Sequence, residues 1–344
     1  MKSFFTNDPA WVDKIGRIYA ALERVKITEQ AASSKLELRR ANRVQSVHSS
    51  TAIEGNRLTV EQVAGVVAGK TIYGPEKDIK EVQNAWAAYE TVDTFDPYSV
   101  EAFLKAHALM TEGLLEKPGR FRTSDVEVVN AYGEVLHTGA EPELVPEGMR
   151  QLLTWAQDTD IHPLIASSAT HYMIEFIHPF VDGNGRIGRL WQTLMLSRWN
   201  ELFAWMPTET LIHHNQLGYY RALQESHEGE VDAAPFITFM LDVIEDSLQQ
   251  YQTAVLQVNY DGVNDGVNDG VNDGVTIKPD TTDQLILEHL GSDGTLTSKE
   301  LAVRIGKSLR TIERHLAKLS RTGILKREGS DKTGIWIVNE SGKA

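Results

Sequence analysis

The run His178-Pro-Phe-Val-Asp-Gly-Asn-Gly-Arg-Ile-Gly-Arg189 gathers the residue types that phosphate chemistry needs within a single turn of chain. A glycine-rich turn running into a helix start aims several backbone N–H groups at one point, where the helix dipole also favours an anion. Arg186 and Arg189, at i and i+3, share one helix face and offer forked donors where negative charge accumulates. Asp182 supplies a hard oxygen suited to Mg²⁺ lying between phosphates. His178 is the one nearby group able to take a proton near neutral pH.

The elements that must position this run are helical. Apolar residues recur at three- and four-residue spacing along Ile15-Ile18-Tyr19-Leu22, Phe103-His107-Met110 and Ile165-Ala169-Tyr172-Met173-Phe176. One helix is predicted to end at His178, where Pro179 breaks it, and another to run from Arg186 through Leu196. Between Gly119 and Gly139, Val126, Val128 and Val135 alternate with polar residues across a turn at Asn130–Gly133, which predicts a β-hairpin in an otherwise helical domain.

Composition limits the alternatives. With 41% hydrophobic and 24% charged residues the chain reads as an ordinary globular protein of about two domains. It has no run long enough to span a membrane and no apolar signal core at its start, so a cytoplasmic protein without a membrane partner is expected. The absence of cysteine excludes disulfides, thiolate zinc sites and thiol nucleophiles, leaving oxygen or imidazole to hold any metal. The net charge of −14 disfavours nonspecific attraction to nucleic acid, but it is unevenly spread: residues 281–344 carry 11 Lys+Arg against 8 Asp+Glu, and the preceding residues carry the rest of the negative charge.

Asp261 to Val275 repeats Asn-Asp-Gly-Val, a composition too poor in apolar surface to be a helix or a packed strand. A flexible linker is expected there, with no match to known calcium loops. After it come a short helix over Thr282–Leu290 and a second helix from Thr297 with a Thr297/Glu300 capping box. A third helix, Ser308–Arg321, and a hairpin formed by Ile324–Glu328 and Ile335–Val338 complete the segment. Helix, helix, helix, hairpin resembles a winged helix-turn-helix. Lys307, Arg310, Arg314, Lys318 and Arg321, with Lys326, Arg327 and Lys332 at the wing, would suit DNA contacts through residues 281–344; a solvated face or a protein-partner module is the other reading.

The complete run from His178 to Arg189 closely resembles the signature of the Fic family of adenylyltransferases, His-Pro-Phe-x-[Asp/Glu]-Gly-Asn-Gly-Arg-x-x-Arg. Gly119-Arg-Phe-Arg122 and the hairpin after it look like the family's substrate flap, and the helices from about Val12 to Glu245 fit its N-terminal extension and core. The resemblance implies ATP as co-substrate with Mg²⁺, and transfer of AMP to a Ser, Thr or Tyr hydroxyl of a target protein or of the chain itself. In that reading His178 is the general base and Asp182 holds the metal. Gly183, Asn184 and Gly185 cradle the α- and β-phosphates, Arg186 neutralises them, Arg189 holds the γ-phosphate, and Ile187 and Gly188 complete the nucleotide-binding stretch. Tyr219 and Tyr220 match a pair that lines the base in relatives, while His227 stands where many have Asn. Val135, Leu136, His137 and Thr138 of the flap would line the target channel, where an exposed edge can pair with an extended segment.

Ser50-Thr-Ala-Ile-Glu54-Gly55-Asn56 matches the family's inhibitory pattern [Ser/Thr]-x-x-x-Glu-[Gly/Asn]. A carboxylate delivered beside Arg189 would occupy the guanidinium meant for the γ-phosphate and misalign ATP. In the family the same Glu can also support removal of AMP. Read locally, Glu54-Gly55 is equally an ordinary helix end, since Gly is favoured just past one. Oligomerisation is a further regulator the resemblance leaves open.

The expected architecture is mainly α: an N-terminal helical extension over 1–95, a Fic-like core with its β-hairpin flap over 96–250, a linker over 251–280 and a winged helix-turn-helix over 281–344. The alternative function is a DNA-binding transcriptional regulator whose Fic-like domain senses nucleotide. The presence of His178 argues against it as the primary role, because nucleotide affinity needs the cradle and arginines while proton abstraction needs the imidazole. Transfer of another nucleotide or of phosphate would use the same residues.

Overall fold

A computed structural model describes residues 4–30, 35–129, 135–228, 231–265, 281–292, 294, 296–305, 311–312, 315–316, 319–320, 325–328 and 335–338. The chain divides into two compact units, Met1–Asn268 and Asp269–Ala344, and the fold is mostly helical as expected. Among the described residues, no helix is long and apolar enough to cross a membrane.

The first unit runs α1 (Ala10–Gln30), α2 (Lys35–Ile53), α3 (Val60–Val67), α4 (Glu76–Glu90) and α5 (Val100–Thr111), then strands β1 (Glu127–Val129) and β2 (Val135–Thr138). It continues with α6 (Val145–Asp158), α7 (Pro163–Ile177), α8 (Asn184–Trp199), α9 (Thr208–His214), α10 (Gln216–His227) and α11 (Ala234–Asp265). α6 is amphipathic, burying Val145, Met149, Leu152, Leu153 and Ala156 on one stripe. α7 and α8 are buried nearly all round, which marks them as the central pair. One apolar cluster, with Ile18, Tyr172, Phe236 and Ile244, packs α1 and α11 against them. A second, with Tyr89, Phe103, Met149 and Trp191, does the same for α4, α5 and α6. Fully burying each such side chain is worth about 1.5–3 kcal/mol.

Two glycines let the central pair approach and turn. A Cβ on Gly188 would meet His171 Cδ2 at 2.8 Å and Glu175 Oε1 at 3.0 Å, so α8 crosses α7 at that point only without a side chain. Gly183, the residue before α8, takes φ 88°, a conformation that favours glycine.

The predicted hairpin forms, with β1 and β2 antiparallel, Val128 opposite His137 and a bulge between Val128 and Val129. Its turn at Asn130–Gly133 lies outside the described residues. The expected linker is corrected at its start: α11 runs unbroken to Asp265, taking in the first residues of the Asn-Asp-Gly-Val repeat. Adding residues to an existing helix costs far less than nucleating one, so a poor helical composition is tolerated at its end. The rest of the repeat lies outside the described residues.

The second unit contains α12 (Thr281–Ser292), α13 (Ser298–Ile305), and the antiparallel pair β3 (Leu325–Glu328) and β4 (Ile335–Val338). Its core is Ile286, Leu290, Leu296, Leu301, Ile312, Leu316, Leu319 and Leu325. The capping box is present: Thr297 Oγ1 accepts from Glu300 N at 3.3 Å, and Glu300 Oε2 accepts from Thr297 N at 2.8 Å. Of the basic residues singled out above, Lys326 and Arg327 lie on β3, with the Arg327 guanidinium 4.9 Å from the Trp336 ring. Lys307, Arg310, Arg314, Lys318, Arg321 and Lys332 lie outside the described residues.

Candidate active site

His178 caps α7 in the left-handed region, φ 51° and ψ 62°, the one non-glycine residue with positive φ among those described. Such a conformation is costly for a side chain with a Cβ and needs outside support. Arg122, itself buried, supplies it. Its Nε donates to the His178 carbonyl at 2.7 Å, Nη1 to Ser124 O at 2.8 Å, and Nη2 to the carbonyls of Ala140 and Ile177. The Arg122 backbone N–H adds a bond to Pro179 O at 3.0 Å. One guanidinium thus joins both ends of the flap to the loop that carries His178.

The His178 ring is oriented by its own helix. Nδ1 lies 3.2 Å from the carbonyl of Glu175, and a carbonyl only accepts, so Nδ1 carries the hydrogen and Nε2 keeps its lone pair. Nε2 is the free basic nitrogen.

The loop after His178 is held shut from inside. Phe180 is buried and stacks on His107, ring centroids 3.5 Å apart and 3° from parallel. The Asn184 side chain spans the loop, accepting from Phe180 N and donating to Phe180 O, both at 2.9 Å. Its amide is therefore committed to the loop, and what it can offer an anion is its backbone. His107 accepts from Gly119 N at 3.0 Å through Nδ1, so Nε2 carries the hydrogen and donates to the Asp182 carbonyl at 2.9 Å. Burial pushes this imidazole down to about 4, which keeps it neutral. The α8 N-terminus that follows has no side-chain cap, leaving first-turn N–H groups for an anion.

Arg186 and Arg189 are both buried and each faces a carboxylate. Arg186 Nη2 donates to Asp182 Oδ1 at 3.0 Å, and its Nη1 lies 3.4 Å from Glu81 Oε1 on α4. Arg189 Nη2 donates to Glu54 Oε1 at 2.6 Å and to Ser50 O at 2.9 Å, and Nε donates to Ser50 Oγ at 3.2 Å. Burial works against the Arg189 charge, but the charge of Glu54, with Tyr219 and Glu175, outweighs it and raises the guanidinium above its ordinary value. Arg186 Nε and Nη1 and Arg189 Nη1 are buried with no hydrogen-bond partner, donors that an anion could use.

The Glu54 carboxylate also stands directly over Gly185, in the space a Cβ there would need. Gly55 has φ 90°, and Asn56 N donates to Thr51 O at 3.2 Å, closing α2 with a left-handed turn. Helix end and carboxylate delivery are thus the same piece of chain. α10 holds that end: Gln216 Nε2 donates to Ile53 O at 2.9 Å, with the Tyr220 hydroxyl 3.5 Å from the same oxygen.

The other predicted site residues differ in what they face. Ile187 is fully buried in the core beside Leu190 and Trp191, and Gly188 faces α7, so neither turns toward the cradle. Tyr219 is buried with its hydroxyl 3.1 Å from His171 Nε2 and 3.3 Å from Glu175 Oε1, and burial pushes the phenol well above its ordinary value. Tyr220 is 39% exposed, the member of the pair open to a ligand. On the flap, Val135 and Thr138 are exposed, whereas His137 donates from Nε2 to Phe176 O at 2.7 Å and meets His227 edge-to-face at 4.2 Å. Burial, with the neighbouring His137, pushes His227 down to about 4. Of Leu136 only the strand position is described.

Sequence reading missed Glu175, Glu81 and the bonding of Arg122 and His107. Burial pushes the Glu175 carboxyl up, but His171, His178 and Arg189 outweigh it and hold it below the usual carboxylate range. Its place one helical turn before His178 was the available signal.

Residues 97–196 match the Fic/DOC family, and residues 279–326 match a winged helix-turn-helix DNA-binding family. A Fic family protein from Desulfovibrio desulfuricans G20 is 33% identical over the whole of both chains, and its crystal structure superposes with a TM-score of 0.70. The chain belongs to the Fic family and carries a C-terminal winged helix-turn-helix. Among curated relatives, protein adenylyltransferase Fic of Nematostella vectensis is 26% identical over 60% of this chain and 48% of its own length. Protein adenylyltransferase fic-1 of Caenorhabditis elegans is 29% identical over 60% of this chain and 40% of its own. The chain therefore spans less than half the length of these two relatives.

Proposed function

We propose that the chain is a protein adenylyltransferase that moves AMP from ATP to a Ser, Thr or Tyr hydroxyl of a target protein or of itself, and that Glu54 holds it in check. The observation that carries this reading is the Glu54 carboxylate, set on Arg189 and over Gly185 inside an otherwise complete signature. The names of the curated relatives support the activity.

The site fits ATP on its own chemistry: an uncapped helix N-terminus beside buried guanidinium nitrogens without partners is an anion site. Asp182, half exposed, fits Mg²⁺, which usually takes one or two carboxylates together with phosphate oxygens. When bound, the ion would offset phosphate charge.

His178 Nε2 removes the proton from the incoming hydroxyl, whose oxygen forms a bond to the α-phosphorus as the bond to pyrophosphate breaks. The α8 N-terminus and Arg186 stabilise charge building on the phosphates. Arg189 holds the γ-phosphate and so aligns the α-phosphorus for attack. With Glu54 on Arg189 that anchor is taken. Tyr220 lines the adenine, and Val135 and Thr138 guide the target segment along the flap. In the reverse sense, Glu54 could align a water for AMP removal. Association of two copies would offer a further control on α2.

The match to a DNA-binding winged helix favours a second role, in which residues 281–344 bring the enzyme to DNA or respond to its activity. Intact mass spectrometry after incubation with MgATP tests the main reading, using wild type, Glu54→Gly and Glu54→Gly/His178→Ala, alone and with cell lysate. An AMP-sized adduct, on the chain or on lysate proteins, is expected for Glu54→Gly alone. No AMP transfer from Glu54→Gly to itself or any lysate protein, despite measurable ATP binding, would move the weight to the nucleotide-sensing regulator.

A further inference from the structure

The two carboxylates around Arg186 differ in what else they can do. Asp182 is 49% exposed and lies in the loop where a cation would sit, so its hold on Nη2 is one it can release. Glu81 is 8% exposed, with Oε1 3.4 Å from Arg186 Nη1 and 3.7 Å from the exposed Lys77 Nζ. Its second oxygen accepts from Asn56 Nδ2 at 3.0 Å. Asn56 is in turn fixed to α4, donating to Asp78 O at 2.9 Å, and its Oδ1 accepts from Leu58 N at 3.1 Å. A buried guanidinium needs a counter-ion that stays in place, and only Glu81 is built as one.

We infer that Glu81 is a positioning residue for Arg186: seated by Asn56, it keeps the guanidinium planted and aimed at the phosphate cradle when Asp182 is drawn to a cation. The inference rests on the adenylyltransferase reading and deepens it. Arg186 keeps the capacity for a second anion, since its Nε is buried with no hydrogen-bond partner. Because Asn56 follows Glu54 and Gly55 directly, the turn that delivers the brake and the counter-ion that sets the phosphate site share one residue, the turn through its backbone N–H and Glu81 through its side-chain amide.

The test uses the full Glu54→Gly chain, in which Arg189 is released, and measures ATP and adenosine binding by displacement of a fluorescent ATP analogue in Mg²⁺. Glu81→Gln removes the charge but keeps an oxygen for Asn56. It is expected to weaken ATP binding roughly tenfold, the lower end of the scale for one close, desolvated charge pair, with adenosine affinity changed less than twofold. Asn56→Ala is expected to shift ATP affinity in the same sense by a smaller factor. ATP affinity unchanged or raised in both variants, or ATP and adenosine affinity falling together, would overturn the assignment. Should Glu81→Gln lose its helical circular dichroism, Asn56→Ala decides alone. A parent Glu54→Gly chain that binds ATP no tighter than adenosine would overturn the phosphate-cradle reading itself, a result distinct from failure of the Glu81 role.

Discussion

Glu54 Oε1 lies 2.6 Å from Arg189 Nη2, a contact that joins the end of α2 to the first turns of α8 across 135 positions of sequence. It is charge-assisted, and the guanidinium it holds is buried, so the pair is both strong and hard to replace by water. An enzyme inhibited this way is expected to be fully assembled and to lack only one free arginine.

Replacing Glu54 by Gly should therefore raise AMP transfer by at least about tenfold, the scale of one charge-assisted hydrogen bond. Initial rates of label incorporation from α-labelled ATP measure it. A rate equal to wild type would mean that the contact is structural only.

His178→Ala and Arg122→Gln separate chemistry from positioning. Removing the proposed base in the Glu54→Gly background should cost at least about 100-fold in rate with ATP affinity kept, as general-base catalysis contributes on that scale. Arg122→Gln leaves the imidazole but loses the bond from Nε to the His178 carbonyl, so the rate should fall while KM for ATP holds. Steady-state kinetics distinguish these outcomes from loss of nucleotide binding.

His107 gives the fold an acid-sensitive point. Its pKa is pushed down to about 4 by burial, while in the unfolded chain it sits near the ordinary histidine value, so between these limits the unfolded state binds more protons. Its neutral form is favoured in the fold, and stability is lost as pH falls through that window, by up to about 3 kcal/mol. Urea unfolding followed by tryptophan fluorescence at several pH values should show a shallower decline for His107→Gln than for wild type.

Gly188→Ala would set a Cβ against His171 and Glu175 at the crossing of α7 and α8. Overpacking of this kind costs about 1–3 kcal/mol, so thermal denaturation should show a clear drop in Tm. An unchanged Tm would mean that the helices separate there at no cost.

Structure was legible where it is set locally. The helix break at Pro179 and the Thr297/Glu300 capping box are set by neighbours within four positions and appear as expected, while the helix after the glycine-rich turn starts at Asn184, two residues before the expected Arg186. Ile187 lies between two predicted site arginines in sequence, yet one step along a helix turns a side chain about 100° and carries it into the core. Glu81 and Asn56 were not legible as a pair, since 25 positions of sequence separate them and only the packing of α4 brings them together. The repeat that α11 enters was misread at its start because local composition says nothing of the long helix feeding into it.

The most direct measurement follows two labels through one reaction. The Glu54→Gly chain is incubated in Mg²⁺ with ATP labelled at the α-phosphate or, separately, at the γ-phosphate, with and without lysate, and protein-bound label is counted. Retention of the α-label alone, lost on adding His178→Ala, is the expected result. Retention of the γ-label, or of neither label while ATP still binds, would contradict AMP transfer.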